Sequence, residues 1–580
     1  MKKALTGILF LFCVQVYAQK NRPLFTVSGS AGVSYEGYGL TLHPHAPYFY
    51  GPRRPWNQVR FNIAPQINIG KNFSLPLNFN FATRATNFAG PYAGIGSLGH
   101  QSFWQFIGNP LNSFSINPTY KSSKLLLGTQ YLNYSELSTG DIGIFGAGFD
   151  LNPRGFIIKF FYGNSQQGIN ASTTPPVTGA YKQTNWMFQL GKGKKGQYKM
   201  AFTVVKGRDS YYSASPPPAL VTPREGIVFS VINNAYFKKG YYAELEGAHS
   251  IYSNNFNAGP ALPGISSFKP LITANASTVK DYAATVALGK KSANFDIGAK
   301  LKYLGAGFHA MGYPYQQPDK LDATLNTRFN AWKDKNNNFK MNVIASIGDR
   351  VNNISSAGTR NNQFLANINW FTQFSDHWSL NLGYNNFGFT ANGSTLTGVP
   401  SVKNVSNDLS VNPTYTWSNS RMSHTLTLSY TYSKYKETST VSGITTITNN
   451  NTHTALLNYV PVYFSKNISP DFSALYFLNE VPGYRMQLFT LSTGLGVSMA
   501  KSKLNLKGQL QYTLGKNAAF THTNNLVAGC NLDYALTKKL KWNLFMSTNY
   551  FKYGNELGSL LIGANYLESN LHTGLTYTWK

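Results

Sequence analysis

The stretch that decides the interpretation of this chain is Leu571-His572-Thr573-Gly574-Leu575-Thr576-Tyr577-Thr578-Trp579. Successive side chains of a β-strand point to opposite faces. One face of this strand would carry Leu571, Leu575, Tyr577 and Trp579, and the other would carry His572, Gly574, Thr576 and Thr578. The first face suits lipid and the second suits water, which predicts a strand that lies between the two.

The same alternation recurs along almost the whole chain. Clear examples are residues 73–81, 423–433, 503–512 and 542–550, where aromatic or aliphatic side chains alternate with polar ones. These runs approach about ten residues, the length that a tilted strand needs to cross a bilayer. Strands of soluble sandwiches are shorter, about five or six residues. We therefore expect an all-β, antiparallel transmembrane β-barrel.

The composition agrees with this expectation. Aromatic residues make up 15% of the 580 residues, with 37 Tyr and 39 Phe, whereas charged residues make up only 13%. Membrane barrels need aromatic girdles at both interfaces and a charge-free band between them. The mean hydropathy of -0.24 is low because each lipid-facing residue is averaged with a polar neighbour. An aromatic-rich secreted sandwich or solenoid is the alternative.

The N-terminus has the features of an export signal. Lys2 and Lys3 precede an apolar run over residues 4–14, and Val16-Tyr17-Ala18 fits a cleavage site. We predict a signal peptide over residues 1–18 and an outer-membrane barrel over residues 19–580. A membrane anchor is the alternative, but the run is shorter than the ~20 residues that span a bilayer. Removal of the signal would leave Cys530 as the single cysteine, which excludes an intramolecular disulfide and a cysteine-based metal site.

Short turn signals divide the chain into about twelve hairpins. With one strand at each end, they predict about 22 to 26 strands, with short periplasmic turns and long extracellular loops. The predicted turns lie at Gly70-Lys71-Asn72, Lys121-Ser122-Ser123, Asn152-Pro153-Arg154, 192–196, Lys238-Lys239-Gly240, Lys290-Lys291-Ser292, 333–338, Ser375-Asp376-His377, 418–422, 465–470, Lys501-Ser502 and Thr537-Lys538-Lys539.

Longer segments between the hairpins are rich in Gly, Pro, Asn and Ser, as loops are. The predicted loops are 36–56, 86–111, 209–225, 253–280, 305–321, 390–407 and 436–451. A barrel of this size would leak if it were empty, so we expect a loop such as 86–111, or a partner protein, to plug it. Alternation begins near Leu24 and continues to Trp579, so neither an N-terminal plug domain nor a C-terminal periplasmic domain is expected.

The end of the chain resembles a known signal. Gly574, Tyr577 and Trp579, with a polar residue two before the glycine, resemble the C-terminal β-signal of bacterial outer-membrane β-barrel proteins. Lys580 departs from that pattern, because the family more often ends on the aromatic residue. The resemblance implies a location in the cell outer membrane, recognition by the barrel assembly machinery, and contact with outer-membrane lipid and lipopolysaccharide.

A second resemblance concerns residues 131–153, which are rich in Tyr, Asn and Gly. Their glycines suggest a bend, or close packing against an inward-folded loop. The segment is similar to segments of uncharacterised porin-like outer-membrane barrels of Bacteroidota, whose Tyr-, Phe- and Asn-rich composition this chain shares. No function follows from that likeness.

The positions opposite the apolar faces would line the lumen. The basic residues among them are Arg60, Arg84, Lys199, Lys300, Lys302, Arg328, Lys340 and Lys507, and the acidic ones are Glu244, Glu246, Asp296 and Asp533. Positive charge in a confined pore favours anions. Much of the formal net charge of +29 lies in turn lysines, which could simply be solvated or lie near phosphate headgroups. The export signal and the scattered charge argue against nucleic-acid binding.

Catalytic and metal-binding patterns are scarce. His43-Pro44-His45 is the one histidine cluster, and it lacks a nearby Asp or Glu to complete a metal shell or a triad. The sequence contains no nucleophile elbow, zinc-protease helix or phosphate-binding glycine loop. We therefore expect no enzyme activity, no cofactor and no metal, with a barrel enzyme acting on lipid or peptide as a remote alternative.

Two functions fit these observations. The first is a porin-like channel for passive passage of polar solutes, anionic ones included, with a lumen partly occluded by loops. The second is a non-conducting structural subunit of an outer-membrane secretion or assembly complex, which would bind a periplasmic or lipoprotein partner. Conductance and co-purification distinguish them.

Overall fold

The computed structural model describes residues 25–42, 57–82, 112–140, 142–173, 176–218, 220–261, 271–333, 340–356, 359–392, 400–517, 522–553 and 565–579. Several predictions fall outside these ranges: the signal peptide over residues 1–18, the lumen residue Arg84, the plug loop 86–111 and the histidines His43 and His45.

Most of the described chain is β-strand. The strands are β1 (Phe25–Leu42), β2 (Gln58–Ile69), β3 (Phe73–Ala82), β4 (Ser113–Ile116), β5 (Thr119–Tyr120), β6 (Ser123–Tyr131), β7 (Gly143–Leu151), β8 (Phe156–Gln166), β9 (Ser172–Thr173), β10 (Pro176–Val177), β11 (Lys182–Lys194), β12 (Tyr198–Ser210), β13 (Glu225–Tyr236), β14 (Tyr241–Ser253), β15 (Thr278–Lys291), β16 (Phe295–Leu304), β17 (Lys320–Lys333), β18 (Lys340–Asn352), β19 (Asn361–Gln373), β20 (Trp378–Ala391), β21 (Ser401–Ser418), β22 (Met422–Val441), β23 (Ile444–Tyr463), β24 (Ile468–Val481), β25 (Tyr484–Met499), β26 (Leu504–Asn517), β27 (Thr523–Ala535), β28 (Leu540–Tyr553) and β29 (Tyr566–Trp579). Short 3₁₀ helices lie at Pro153–Gly155, Tyr211–Ser213 and Lys238–Gly240.

The strands form one closed antiparallel barrel. β1 pairs with β29 from Gly29 opposite Trp579 to Leu42 opposite Tyr566, which joins the first strand to the last. β4 and β5 both lie between β3 and β6 and together act as one barrel strand, interrupted at Asn117-Pro118. The barrel therefore has 26 strands, which confirms the predicted fold. β9 and β10 form a separate small hairpin.

Most short connections lie at one end of the barrel, called here the turn end; the opposite end is the loop end. The predicted turns fall at the turn end, apart from the one at 333–338, which lies almost entirely outside the described residues. Several use left-handed backbone, including Gly70 at φ 59°, Lys121 at φ 55° and Lys501 at φ 56°. A two-to-five-residue hairpin requires such conformations to match the twist of its strands.

The predicted loop at 436–451 is wrong. β22 continues to Val441 and β23 begins at Ile444, and only Ser442-Gly443 joins them, with φ 51° and 81°. Positive φ at both central residues is typical of a tight hairpin turn. The β-branched residues on both sides favour strand, so this hairpin extends at the loop end. The predicted loops at 36–56 and 390–407 are likewise shortened, because β1 reaches Leu42, β20 reaches Ala391 and β21 begins at Ser401.

The outer face of the barrel is apolar between two aromatic zones. Near the turn end, the Trp417 and His424 rings stack with centroids 4.6 Å apart, and Tyr459 stacks on His424 at 5.9 Å. Nearer the loop end, the rings of Tyr432 and His453 lie 4.9 Å apart. Leucines such as Leu428, 48% exposed, lie between the zones on the same face. This is the pattern that two membrane interfaces require.

Buried apolar residues are confined to one part of the wall. Apart from Tyr38 and Ala366, those in the described chain lie between Leu126 and Met311. We call the strands β6–β8 and β11–β16 the packed wall, and the strands β19–β29 with β1–β3 the open wall. β17 and β18 lie between them. In the described part of the chain, no helix is long and apolar enough to span a membrane.

Candidate functional site in the barrel lumen

A loop between β6 and β7 folds into the lumen. Its described residues, 132–140 and 142, are called loop A. Its Leu137 is fully buried and belongs to a cluster with residues of four strands of the packed wall. Those residues are Val228, Ala248, Ala283 and Leu304. Each of them alternates with outward-facing residues of its own strand, so the cluster lies on the inner face.

A single helical turn shapes loop A. The Thr139 amide N–H donates to the Ser135 carbonyl oxygen at 3.2 Å, and the Ser135 hydroxyl oxygen accepts from the amide of Ser138 at 3.0 Å. The Glu246 carboxylate of β14 accepts from the Ser135 hydroxyl and from the amides of Glu136, at 3.0 Å, and Leu137, at 3.3 Å. A carboxylate at the start of a helical turn satisfies its free N–H groups. Glu246 thus fixes loop A to the wall.

A second contact ties loop A to β16. The Glu136 carboxylate lies 2.6 Å from Lys300 Nζ and 3.6 Å from Lys302 Nζ. The two lysines lie on the inner face, because Leu301 between them is 46% exposed on the outer face. Ion pairs that are partly exposed contribute little stability each, so their main effect here is to orient the loop and neutralise charge.

A second loop, residues 305–319 between β16 and β17, also enters the lumen and is called loop B. Its Phe308, 1% exposed, packs in the same cluster as Leu137. The two loops join directly, since the Gly140 amide donates to the Gly312 carbonyl oxygen at 3.1 Å. A Cβ at position 312 would lie 2.6 Å from the Ser138 carbonyl oxygen, so only glycine fits. At its start, loop B is held by the Gly307 amide, which donates to Asp281 at 2.8 Å.

The other side of loop A has its own core. Tyr134, 4% exposed, packs against Leu126, Ile144, Phe161 and Met187. Burial, and the carboxylate of Asp150, raise the pKa of the Tyr134 hydroxyl, which therefore stays protonated. The glycines of residues 131–141 and 146–153 predicted a bend, or close packing against an inward-folded loop. In the structure, residues of the first stretch form the inward loop itself.

A polar cavity of about 410 Å³ remains between loop A and the packed wall. Its lining mixes both charges, with Lys199 and Lys302 facing Glu136, Glu244 and Glu246. With three carboxylates and two lysines, such a lining suits water and small polar molecules and has no excess of positive charge.

Most of the predicted basic lining is paired with carboxylates. Of the predicted cations, Arg60 lies 3.6 Å from Glu36, Arg328 lies 2.6 Å from Asp296 and Lys507 lies 3.5 Å from Asp471. Together with Lys300 and Lys302, these side chains occupy inner-face positions. Lys199 is half-buried near loop A, and Lys340 is exposed at the start of β18.

The inner face of the open wall is mainly amide and hydroxyl. Asn367 donates to Asn385, Thr490 and Thr513 share a hydrogen bond of 2.9 Å, and Ser498 donates to Asn505 at 2.7 Å. By strand register, inward carboxylates in the described part of β19–β29 outnumber inward cations. The carboxylates are Asp408, Glu437, Asp471, Asp533 and Glu568, and the cations are Lys507 and Lys541.

The sequence expectation of a predominantly positive lumen omitted several of these carboxylates. The signal that could have identified them was the same alternation that placed Lys507. Asp471 lies between Pro470 and Phe472 much as Lys507 lies between Leu506 and Gly508, and Asp408 and Glu437 follow the same period of two along β21 and β22.

The predicted assembly residues lie in the closing strand. Tyr577 and Trp579 point outward with ring centroids 5.8 Å apart, and Gly574 points inward. A Cβ at Gly574 would lie 2.6 Å from Asn543 Oδ1, so glycine makes room for this side chain. Their recognition by the assembly machinery remains a prediction.

In the described part of the chain, no group of three or more His, Cys, Asp or Glu side chains is arranged to hold a metal ion. The absence of metal, cofactor and enzyme activity remains an expectation from the sequence.

Comparisons with known proteins give likeness of fold alone. No family profile matches the sequence, and neither does any curated protein. Among solved structures, the FrpB iron transporter from Neisseria meningitidis is 9% identical, with a TM-score of 0.36, over 95% of this chain and 82% of its own. OccAB4 of Acinetobacter baumannii is 13% identical, with a TM-score of 0.29, over 68% and 98%. OmpT, an outer membrane protein of Vibrio cholerae, is 9% identical, with a TM-score of 0.26, over 60% and 98%.

Proposed function

We propose that this protein is an outer-membrane channel through which small polar solutes diffuse along the open wall. The observation that carries the proposal is the division of the lumen. Loops A and B pack on one side, whereas no described loop packs in the same way on the amide- and hydroxyl-lined face of β19–β29. Neutral hydrogen-bonding groups exchange readily with the hydration shell of a passing solute.

The outer-membrane location is supported by the outer face. Apolar side chains between two aromatic zones match a bilayer, and the closed barrel leaves no strand edge in contact with lipid. The short turns would then face the periplasm and the loops the exterior, as in the expected topology.

The lining of the open wall gives no support to the anion preference predicted from the sequence, because inward carboxylates outnumber inward cations there. Arg60, Lys507 and Arg328 each lie within 4 Å of a carboxylate, which lowers the positive potential that they would provide in isolation. Solutes that are neutral or carry a single charge are the class that this lining suits.

Conductance of the purified protein in a planar bilayer tests the proposal. We expect discrete openings in KCl and a reversal potential close to zero under a tenfold salt gradient. Addition of a neutral sugar series of increasing size should reduce the conductance until the sugars no longer enter. Absence of conductance from protein that migrates as a folded barrel on a gel would contradict the channel.

A non-conducting subunit of an envelope complex is the second candidate, and one feature favours it. Ile344, Leu365, Phe371 and Phe387 point into the lumen and are 45%, 42%, 37% and 40% exposed. Exposed apolar side chains often mark a binding surface. A stoichiometric periplasmic or lipoprotein partner that co-purifies from native membranes, and is lost when Phe371 and Phe387 are changed to Ser, would support this candidate.

A further inference from the structure

Three lysines lie together on the outer face of the open wall. Lys434 and Lys436 of β22 lie opposite Asn407 and Val405 of β21, and Lys403 is on the same face of β21. All three are exposed. We call Lys403, Lys434 and Lys436 the rim lysines.

The rim lysines surround a cavity of about 380 Å³. Its described lining consists of Lys403, Val405, Asn407, Lys434, Lys436 and Thr438, with no Asp or Glu among them. Glu437 lies between Lys436 and Thr438 in sequence but points inward and accepts from the Tyr435 hydroxyl at 2.7 Å. Glu480, two strands away on the outer face, pairs with Arg485 at 3.3 Å.

Asn407 adds a neutral donor to this cavity. Its side-chain oxygen already accepts from the Tyr384 hydroxyl at 2.9 Å and from the Asn386 amide at 2.6 Å. Its own amide N–H groups are therefore directed away from these partners, towards the cavity that Asn407 lines. Ammonium groups beside an amide donor are the set that binds a phosphate group.

The position of the rim lysines along the barrel axis indicates which part of a bilayer they would contact. His424 belongs to the aromatic zone at the turn end, and Lys434 is ten residues further along the same strand. Ten residues rise ~33 Å along a strand, and a tilt of about 40° reduces this to roughly 25 Å along the barrel axis. The apolar band of a membrane barrel is also about 25 Å tall. Lys434 and Lys436 thus lie where the outer-leaflet headgroups begin.

Another basic pair on the outer face has a different environment. Lys206 and Arg208 of β12 lie 3.1 Å and 3.9 Å from Glu225, which is buried, and Lys206 Nζ also donates to the Leu271 carbonyl oxygen at 2.7 Å. Both of these side chains therefore already have partners within the protein. The rim lysines have no carboxylate in their described cavity, so their charges are available to an anionic partner from outside the chain.

We propose that the rim lysines bind the phosphate groups of an outer-leaflet glycolipid headgroup. The proposal rests on the outer-membrane location put forward above, but it does not require the channel to conduct. Tyr430 and Tyr432, on the same face just below, would contact the lipid at the boundary with its acyl chains.

The test uses the full-length mature protein in detergent and native mass spectrometry with lipid A that carries two phosphates. The K403Q/K434Q/K436Q variant removes the rim charges. The K466Q/K538Q/K539Q variant removes the same number of charges at the turn end and serves as the matched control. We expect the wild type and the control to bind lipid A alike, and the rim variant to bind on the order of 100-fold more weakly.

Two further ligands distinguish the source of the phosphate. Lipid A without phosphates should bind weakly to all three proteins, and millimolar inorganic phosphate should leave lipid A binding unchanged. Equal lipid A binding by the rim variant and the control would overturn the proposal, as would displacement of lipid A by inorganic phosphate.

Conductance of the same samples separates this proposal from the proposed function. We expect the rim variant to conduct like the wild type, because the lysines lie outside the lumen. Lipid A binding that depends on the rim lysines in a protein without conductance would refute the channel and support the rim site. Conductance from a protein whose lipid A binding is unchanged by the rim substitutions would support the channel and refute the rim site.

Discussion

The packed wall and the open wall are built from the same alternating strands but use their inner faces differently. On the packed wall, inward charges such as Glu246 and Lys300 hold loop A, and apolar residues such as Val228 form a core with it. On the open wall, inward amides and hydroxyls bond mainly to one another across neighbouring strands. One barrel thus combines a packed, protein-like core with a hydrated surface inside a single lumen.

Leu137 and Leu365 give the largest expected contrast between the walls. Leu137→Ala should lower the free energy of unfolding by about 3 kcal/mol, because it leaves a cavity among four strands. Leu365→Ala, at a lumen position that is 42% exposed, should change it by less than about 1 kcal/mol. Urea unfolding from detergent micelles, followed by tryptophan fluorescence, measures both. Equal losses would show that loop A does not form a core.

Glu246 and Glu437 give the corresponding contrast between the two walls for polar contacts. Glu246→Gln weakens three hydrogen bonds that fix the start of loop A and should cost about 2 kcal/mol. The loop would then move into the water-filled space, so we expect a noisier single-channel current. Glu437→Gln, which affects only the bond from Tyr435, should leave the current steady. A quiet current from the Glu246 variant would mean that other contacts suffice to hold loop A.

The contact between the two loops can be tested with glycine substitutions. A methyl group at Gly312 would press on the Ser138 carbonyl oxygen and on Val205, so Gly312→Ala should destabilise the protein by about 1.5 kcal/mol. Gly508→Ala on the open wall meets nothing within 4 Å and should be nearly neutral. Thermal unfolding, monitored by the gel mobility of unheated samples, compares the two variants. A neutral Gly312 variant would indicate that the loops can separate without cost.

Ion selectivity should give the smallest difference and locate the solute path. Asp471→Asn frees Lys507 on the open wall, whereas Glu136→Gln frees Lys300 and Lys302 on the packed wall. If solutes follow the open wall, the Asp471 variant should shift the reversal potential towards anions more than the Glu136 variant does. The reverse order in a KCl gradient would place the path beside loop A.

The barrel fold could be predicted because local sequence patterns determine its strands and turns. Alternation in runs such as 423–433 assigns each side chain to lipid or water. Turn residues such as Gly70 and Lys121 mark where the hairpins turn, and neither signal depends on distant parts of the sequence. The extended hairpin between Val441 and Ile444 was missed because its Asn-rich flank resembles a loop, while its β-branched residues form a ladder only once both strands are present.

The lumen could be predicted only in part, because its contents depend on distant pairs. Alternation predicts Lys300 on the inner face, but it gives no indication of its partner Glu136, which lies 164 residues away on a loop. Likewise, Arg328 meets Asp296 only through the register of β16 with β17. The burial of Leu137 and Phe308 had a weak signal in the sequence, since large apolar residues inside a loop must find cover somewhere.

The pairing of β1 with β29 has a consequence for biogenesis. Gly29 can meet Trp579 only after nearly the whole polypeptide has been synthesised, because the two residues lie near opposite ends of the barrel sequence. Until then the hydrogen-bonding groups of Phe25–Leu42 that face β29 have no strand beside them, and exposed strand edges readily join other chains. Contacts of such long sequence separation also form slowly. The edge of β1 therefore stays open to mispairing until β29 closes the barrel.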